Sequence, residues 1–224
     1  MRIDIVSDVI CPWCFIGKRR LAAALAQRPE VEAEILWHPF QLNPDMPPEG
    51  MTRERYIAAK FGGSDHARRI YQTVTDVGAA VGIPFHFERI TVTPNTRDAH
   101  RLIRYASGEA GAELVVEALF NAYFIDGRNV GDRDALAEIA EGAGLERATV
   151  TRYLESDEAA EDVLAEDMSA RRIGINAVPC FIFERKYVVS GAQEPEFFYP
   201  LFDLLQNEQA GGAPASASET VSAK

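Results

Sequence analysis

Two cysteines two residues apart, Cys11 and Cys14, stand at the first boundary between ordered elements, with Pro12 and Trp13 between them. The run before them, Arg2 to Asp8, reads as a short strand and turn. The run after them, Phe15 to Ala26, reads as a helix. The pair therefore sits where a strand hands over to a helix. A helix N-terminus has unpaired amides and the positive end of the helix dipole, and both stabilise a thiolate. The thiolate is the reactive species in disulfide exchange. This is the layout of a thiol–disulfide redox site. Two plainer readings are weaker. A zinc site takes about four ligands, usually with a second Cys/His pair. The only other cysteine is Cys180, and His38, His66, His86 and His100 form no closely spaced pair, so no metal is expected. A purely structural disulfide closing so short a loop would constrain the unfolded chain little.

Composition sets outer bounds. The chain of 224 residues is 47% hydrophobic and 25% charged, ordinary for a globular protein with a sizeable core. Its net charge of −11 argues against binding nucleic acid or anionic membrane by bulk electrostatics. It has no apolar run of about 18 residues, so no membrane span is expected. The first residues lack a basic stretch, an apolar stretch and a cleavage site, which predicts no signal peptide. A cytoplasmic location follows as an expectation; in that reducing compartment a disulfide is more often catalytic than structural.

Along the chain, Val31 to Trp37 alternates apolar and polar residues as a strand does. The Pro-rich stretch Pro44 to Gly50 marks an exit from the sheet. Residues 52–173 read as mostly helical. Thr52 is a candidate N-cap for a helix through Phe61, which Gly62-Gly63 ends. A second helix fits residues 65–81. Asn95 is a candidate cap for the next, with Asp98 three residues on as a near capping box. Further helices fit 111–124, 133–142, 147–155 and 157–172. The acidic set Glu158, Glu161, Asp162, Glu166 and Asp167 reads as a solvated face. Strand character returns at Val178–Phe183 and Tyr187–Ser190, followed by a helix from about Glu194 to Leu205. The tail from Gln209 is rich in Ala, Gly and Ser, which predicts disorder. The order is β-α-β, a helical insertion, then β-β-α. The expected units are 1–44 and 174–208 as two parts of one domain, 45–173 as the insertion and 209–224 as the tail. The insertion is expected to lie over the redox loop.

Pro179 falls inside the third strand, where it removes a ladder hydrogen bond. It is either an ordinary edge-strand proline or a cis-proline whose preceding backbone is open to an extended substrate.

Four segments together carry a resemblance: Cys11 to Gly17, Trp37 to Pro44, Asn95 to Leu102, and Gly174 to Pro179. In this order they resemble the FrnE-like branch of the DsbA family, within the thioredoxin-fold superfamily, over about residues 2–206. The resemblance implies an α/β, thioredoxin-like fold with a large inserted α-helical domain, and disulfide oxidoreductase activity. It implies Cys11 as the attacking cysteine, Cys14 as the resolving cysteine and Pro179 as the cis-proline. Related glutathione-dependent isomerases and kappa-type glutathione transferases typically have serine at the first position of the motif. Cys11 in that place favours redox exchange. The alternative function is a glutathione-dependent isomerase or transferase of a small aromatic or electrophilic substrate.

The remaining candidates have two readings each. Trp13 offers an apolar contact to substrate or is an exposed turn aromatic. A charged histidine there would help a thiolate and tryptophan cannot, so the potential is expected nearer thioredoxin's roughly −270 mV than DsbA's roughly −120 mV. Asp8 relays a proton to Cys14 or shapes a turn. Cys180 reads as core, or as a second partner for Cys11. His38 reads as structural. His100 and Arg101, near the helix start, could meet a glutathione carboxylate or be solvated. Val178, Asn95, Arg101 and Trp13 complete the expected substrate-binding set. No bound cofactor is expected; glutathione is the candidate co-substrate. Expected partners are protein or small-molecule thiols and disulfides, with a homodimer as the candidate assembly.

Overall fold

The computed structural model describes residues 1–109 and 111–211, with side chains through residue 208. In chain order the elements are β1 (Arg2–Ser7), α1 (Pro12–Ala26), β2 (Glu34–Pro39), β3 (Met51–Thr52), α2 (Arg53–Phe61), α3 (Ser64–Ala80), β4 (Val92–Thr93) and α4 (Arg97–Gly108). There follow α5 (Ala112–Phe124), α6 (Arg133–Gly142), α7 (Arg147–Glu155), α8 (Ala160–Arg172), β5 (Cys180–Phe183), β6 (Tyr187–Ser190) and α9 (Tyr199–Gly211).

The main sheet has the order β2-β1-β5-β6. β1 pairs parallel with β2, from Arg2 opposite Glu34 to Ser7 opposite Pro39. β5 pairs antiparallel with β1, placing Cys180 opposite Val6, and β6 closes the edge as a hairpin. β1 is the inner strand between β2 and β5, so its residues are buried on both faces. On one face Ile3, Ile5, Leu21, Phe181, Phe183, Phe198 and Phe202 form a core under α1 and α9. On the other, Val6, Val9, Phe15 and Phe40 join a larger core with α4, α5 and α6.

The chain leaves this sheet after β2 and returns at β5. Between them lie α2 to α8 and a two-stranded ribbon, β3 with β4. These helices pack against the start of α1. Phe15 stacks on Phe120 at 4.9 Å and meets Phe85 edge-on at 6.1 Å. The core therefore runs without a break from the Cys11–Cys14 turn into the helices.

Several boundaries differ from the sequence reading, each for a local reason. α1 begins at Pro12 rather than Phe15, because a proline at the first helical position lacks only an N–H that would have no partner. β2 is Glu34–Pro39; the parallel register starts where the Glu34 amide donates to the Met1 carbonyl. α8 starts at Ala160, since Ala159 has φ 58° and interrupts the helix from 157. α4 has Thr96 as its N-cap, although Asn95 Oδ1 still accepts from the Arg97 amide at 2.9 Å. Asp98 forms no capping box and binds Arg101 and Arg133 instead. The acidic set is not one solvated face: Asp167 is buried against Arg171, and Glu166 pairs with Arg104 and His38. α9 continues through Gly211, past the expected start of the tail, and residues 212–224 lie outside the described residues.

Candidate functional site

Cys11 is the N-cap of α1. Its amide donates to the Asp8 carbonyl at 3.0 Å, and the Cys14 amide donates to the Cys11 carbonyl at 3.0 Å. Cys11, Cys14 and Cys180 are all free thiols. Cys11 is 4% exposed and Cys14 2%. Burial pushes the Cys14 thiol well up, and the adjacent Cys11 sulfur adds to the rise. Hydrogen bonding from the Ser7 hydroxyl and the Asp8 backbone opposes it.

The loop before β5 closes over this turn. The Val178–Pro179 peptide bond is cis. The Cys11 Sγ lies 3.6 Å from the Val178 carbonyl oxygen, so the residue before Pro179 faces the first sulfur. The Pro179 carbonyl accepts from the Gly191 amide at 2.8 Å, which ties the loop to the end of β6. Gly17, one turn along α1 from Cys14, makes this approach possible. A Cβ there would stand 2.8 Å from Pro179 Cγ and 3.1 Å from Phe181 Cζ. Trp13 is exposed beside the pair, at 37%.

Two expected site residues, Arg101 and Asn95, sit elsewhere than the sequence reading put them, while Cys180 is core as first read. Arg101 is 1% exposed and has no donor free for an outside anion. It donates to the carbonyls of Glu158, Leu154, Tyr153 and Ser156 and to Asp98. The substrate-binding reading of Arg101 is therefore corrected: it clamps the end of α7. Asn95 spends its side chain on protein groups. Its Oδ1 accepts from Gln41 Nε2 at 3.1 Å, and its Nδ2 donates to the Met46 carbonyl at 2.6 Å. Cys180 is buried in β5 opposite Ser190, and burial pushes its thiol up.

Two groups near the pair were weighed at the sequence level, and the structure adds to each. Asp8 is fully buried; its Oδ2 accepts from the Leu42 amide at 2.7 Å. His38 Nε2 lies 2.7 Å from Asp4 Oδ1, and its Nδ1 lies 3.5 Å from Glu166. Glu166, then Asp4, raise the pKa of His38 against the opposing effect of burial. Ser7 went unread, because nothing in the sequence says which face of β1's last residue meets Cys14. Among the described residues, no group of three or more His, Cys, Asp or Glu side chains is placed to hold a metal ion. Nor is any described helix long and apolar enough to cross a membrane.

A β-α-β unit and a β-β-α unit sharing one sheet, with a Cys-x-x-Cys at the first helix facing a cis-proline loop, define the thioredoxin-like class. Within it, this chain belongs to the DSBA-like thioredoxin domain family, which matches residues 2–202. A probable DsbA oxidoreductase from Streptomyces coelicolor is similar over 100% of this chain and 95% of its own, with 30% identity and a TM-score of 0.82. A 2-hydroxychromene-2-carboxylate isomerase has the same fold over 96% of this chain and 100% of its own, with 19% identity and a TM-score of 0.72. So does the cytosolic disulfide reductase DsbM from Pseudomonas aeruginosa, solved with glutathione, over 94% and 100%, with 16% identity and a TM-score of 0.62.

Proposed function

We propose that this protein is a thiol–disulfide oxidoreductase that uses Cys11 and Cys14 to exchange disulfides with protein thiols or small disulfides. The observation that carries this reading is the unequal placement of the two sulfurs. Cys11 caps the open end of α1 against the Val178 carbonyl. Cys14 lies one turn inside, with its thiol held protonated by burial. In one direction, the Cys11 thiolate attacks a substrate disulfide and expels one substrate thiolate, leaving a mixed disulfide. Cys14 then loses its proton and attacks the Cys11 sulfur. The Cys11–Cys14 disulfide forms, and the second substrate sulfur leaves as a thiol. The two cysteines are oxidised by two electrons and the substrate disulfide is reduced.

Val178 supplies the carbonyl beside the attacked sulfur, and exposed Trp13 supplies an apolar surface for the substrate chain. Glutathione is the small thiol we assign as co-substrate, as DsbM was solved with it. DsbM is cytosolic, and we assign the same compartment here.

The test is a Cys14→Ser variant mixed with glutathione disulfide and with oxidised insulin, followed by intact mass and peptide mapping. A mixed disulfide should accumulate at Cys11 in the variant and collapse in the wild type. No mixed disulfide at Cys11 in the variant, joined to glutathione conjugation of an electrophile without disulfide exchange, would assign the chain to transfer chemistry instead.

A further inference from the structure

Cys14 has a proton to lose and no direct contact with solvent through which to lose it. Its side chain is 2% exposed, yet its sulfur must become a thiolate before it attacks Cys11. Hydrogen bonding from the Ser7 hydroxyl opposes the rise that burial gives the Cys14 thiol. Ser7 also lines a cavity of about 170 Å³, with Val9, His38, His100, Arg104 and Glu166 around it. That volume has room for several water molecules. At its rim the side chains of His38, Arg104 and Glu166 are 35%, 43% and 36% exposed, so the cavity leads to solvent.

Inside the cavity His100, on α4, is anomalous. Its side chain is 4% exposed, and its Nε2 has no hydrogen-bond partner. Asp8 Oδ1 stands 3.5 Å from that nitrogen without bonding it. A buried polar atom left unpartnered costs about 1–3 kcal/mol, so one that persists calls for a reason. Imidazole is the side chain best suited to taking up and releasing protons near neutral pH.

We propose that Ser7 and His100 form the proton path of Cys14. The hydroxyl of Ser7 passes the proton on, and His100, whose Nε2 lies 3.5 Å from Asp8 Oδ1, receives it across the cavity. The inference rests on the disulfide-exchange reading and adds how its second step is driven. In that step the Cys14 S–H bond breaks and its proton passes by way of Ser7 to His100 Nε2. The Cys14 sulfur bonds to the Cys11 sulfur, the bond from Cys11 to the substrate sulfur breaks, and the departing thiolate is protonated from solvent. The substrate disulfide is the oxidant. Run in reverse, the same path returns the proton to Cys14. The charged groups facing His100 are Asp8 after β1, His38 on β2, Arg104 on its own helix and Glu166 on α8; α5 presents Val116.

The experiment follows 5,5′-dithiobis(2-nitrobenzoate) in stopped flow. A first thionitrobenzoate is released when Cys11 attacks the reagent disulfide and a second when Cys14 resolves the mixed disulfide. In His100→Gln the first phase should stay within about twofold of wild type. The second should slow at least about tenfold at neutral pH, at the low end of what a positioned proton acceptor contributes. Its dependence on pH should also be shallower than in wild type. A second phase that keeps its rate or its pH profile overturns the proposal, as does an equal slowing of both phases. If His100→Gln does not fold, Ser7→Ala carries the same comparison, since it removes a single oxygen. A wild-type protein with no second phase overturns the disulfide-exchange reading itself, and the proton path with it.

Discussion

Arg101→Met distinguishes a buried clamp from a substrate anchor. The guanidinium donates to the carbonyls of Tyr153, Ser156 and Glu158 at 2.8, 2.7 and 2.8 Å, to that of Leu154 at 3.2 Å and to Asp98 at 2.8 Å. Methionine fills much of the same length and removes every donor. Water can reach some of the orphaned acceptors, since Ser156 and Glu158 are exposed and Asp98 keeps Arg133 at 2.8 Å. It cannot easily reach the carbonyl of Leu154, whose residue is 0% exposed, whereas the carbonyl of Tyr153 keeps the Ser156 hydroxyl at 2.7 Å. One buried acceptor at about 1–3 kcal/mol, plus the weakened Asp98 and the thinner bonding of Tyr153, gives a loss of about 2–4 kcal/mol. For a chain of this size that is a fall in Tm of roughly 4–16 °C. Urea unfolding followed by circular dichroism measures it, and exchange with glutathione disulfide is measured on the folded variant at low temperature. The expected result is a large loss of stability with exchange kept within about twofold. A loss under about 1 kcal/mol, joined to a tenfold fall in exchange, would refute the clamp and restore Arg101 as a substrate contact.

Gly17→Ala should destabilise by about 1–2 kcal/mol, because overpacking against Pro179 and Phe181 outweighs the gain in helix propensity. It should also slow alkylation or exchange at Cys11 as the Val178 carbonyl is pushed aside; thermal unfolding and iodoacetamide labelling check both, and a rise in Tm would sink the packing argument. The Asp4–His38–Glu166 chain should make stability bell-shaped in pH. The His38 part is fully present below the unfolded value of about 6.5 and is lost as pH rises through its raised folded value. Arg2, then His38, hold Asp4 below the usual carboxylate range, and His38, then Arg104, do the same for Glu166. Their part is present above about pH 4 and is lost as pH falls through the lowered values. Urea titrations from pH 4 to 9 should show the alkaline limb vanish in His38→Gln, and an unchanged limb would remove His38 as its source.

What the sequence revealed was local. The strand–Cys-x-x-Cys–helix junction could be read because the apolar spacing after Cys14 places the body of α1, although that spacing does not show its start at Pro12. Most of the helices could be read from periodicity and from punctuation such as Gly62-Gly63 and Gly82. The β3–β4 ribbon could not: two residues per strand show no alternation, and the pairing depends on Gly50, at φ 74°, passing close to Thr93. Arg101 and the acidic run of α8 were misread for one reason. A sequence shows that a residue is charged but not which distant element it meets. Arg101 finds the end of α7 some fifty residues on, and Glu166 and Asp167 turn inward to Arg104, His38 and Arg171. His100 reads in sequence as a candidate contact for a glutathione carboxylate, but its unpartnered nitrogen depends on the cavity formed when α4, α8 and β2 pack together.

Two of the segments that carry the family resemblance, Trp37 to Pro44 and Asn95 to Leu102, meet at one piece of irregular backbone, which also bonds residues lying just before the other two. After β2 the Phe40 amide still donates to the Ser7 carbonyl of β1, but Gln41 and Leu42 run on without strand partners, buried or half-buried, and such backbone must find hydrogen bonds from somewhere. Side chains supply them. The Leu42 amide donates to Asp8, three residues before Cys11. The Gln41 amide donates to Asp167 at 2.8 Å, and its carbonyl accepts from Arg171 at 2.5 Å, both from α8, which leads toward Pro179. The Gln41 side chain donates to Asn95, at the start of the helix that bears His100. Asp8 is the pivot: its carbonyl holds the Cys11 amide, while its carboxylate holds this loop and faces His100. The position of the first sulfur, the loop after β2 and the candidate proton acceptor are thus fixed by one buried aspartate. In sequence Asp8 reads as a turn residue or a proton relay to Cys14; its hold on the loop after β2 is not legible there.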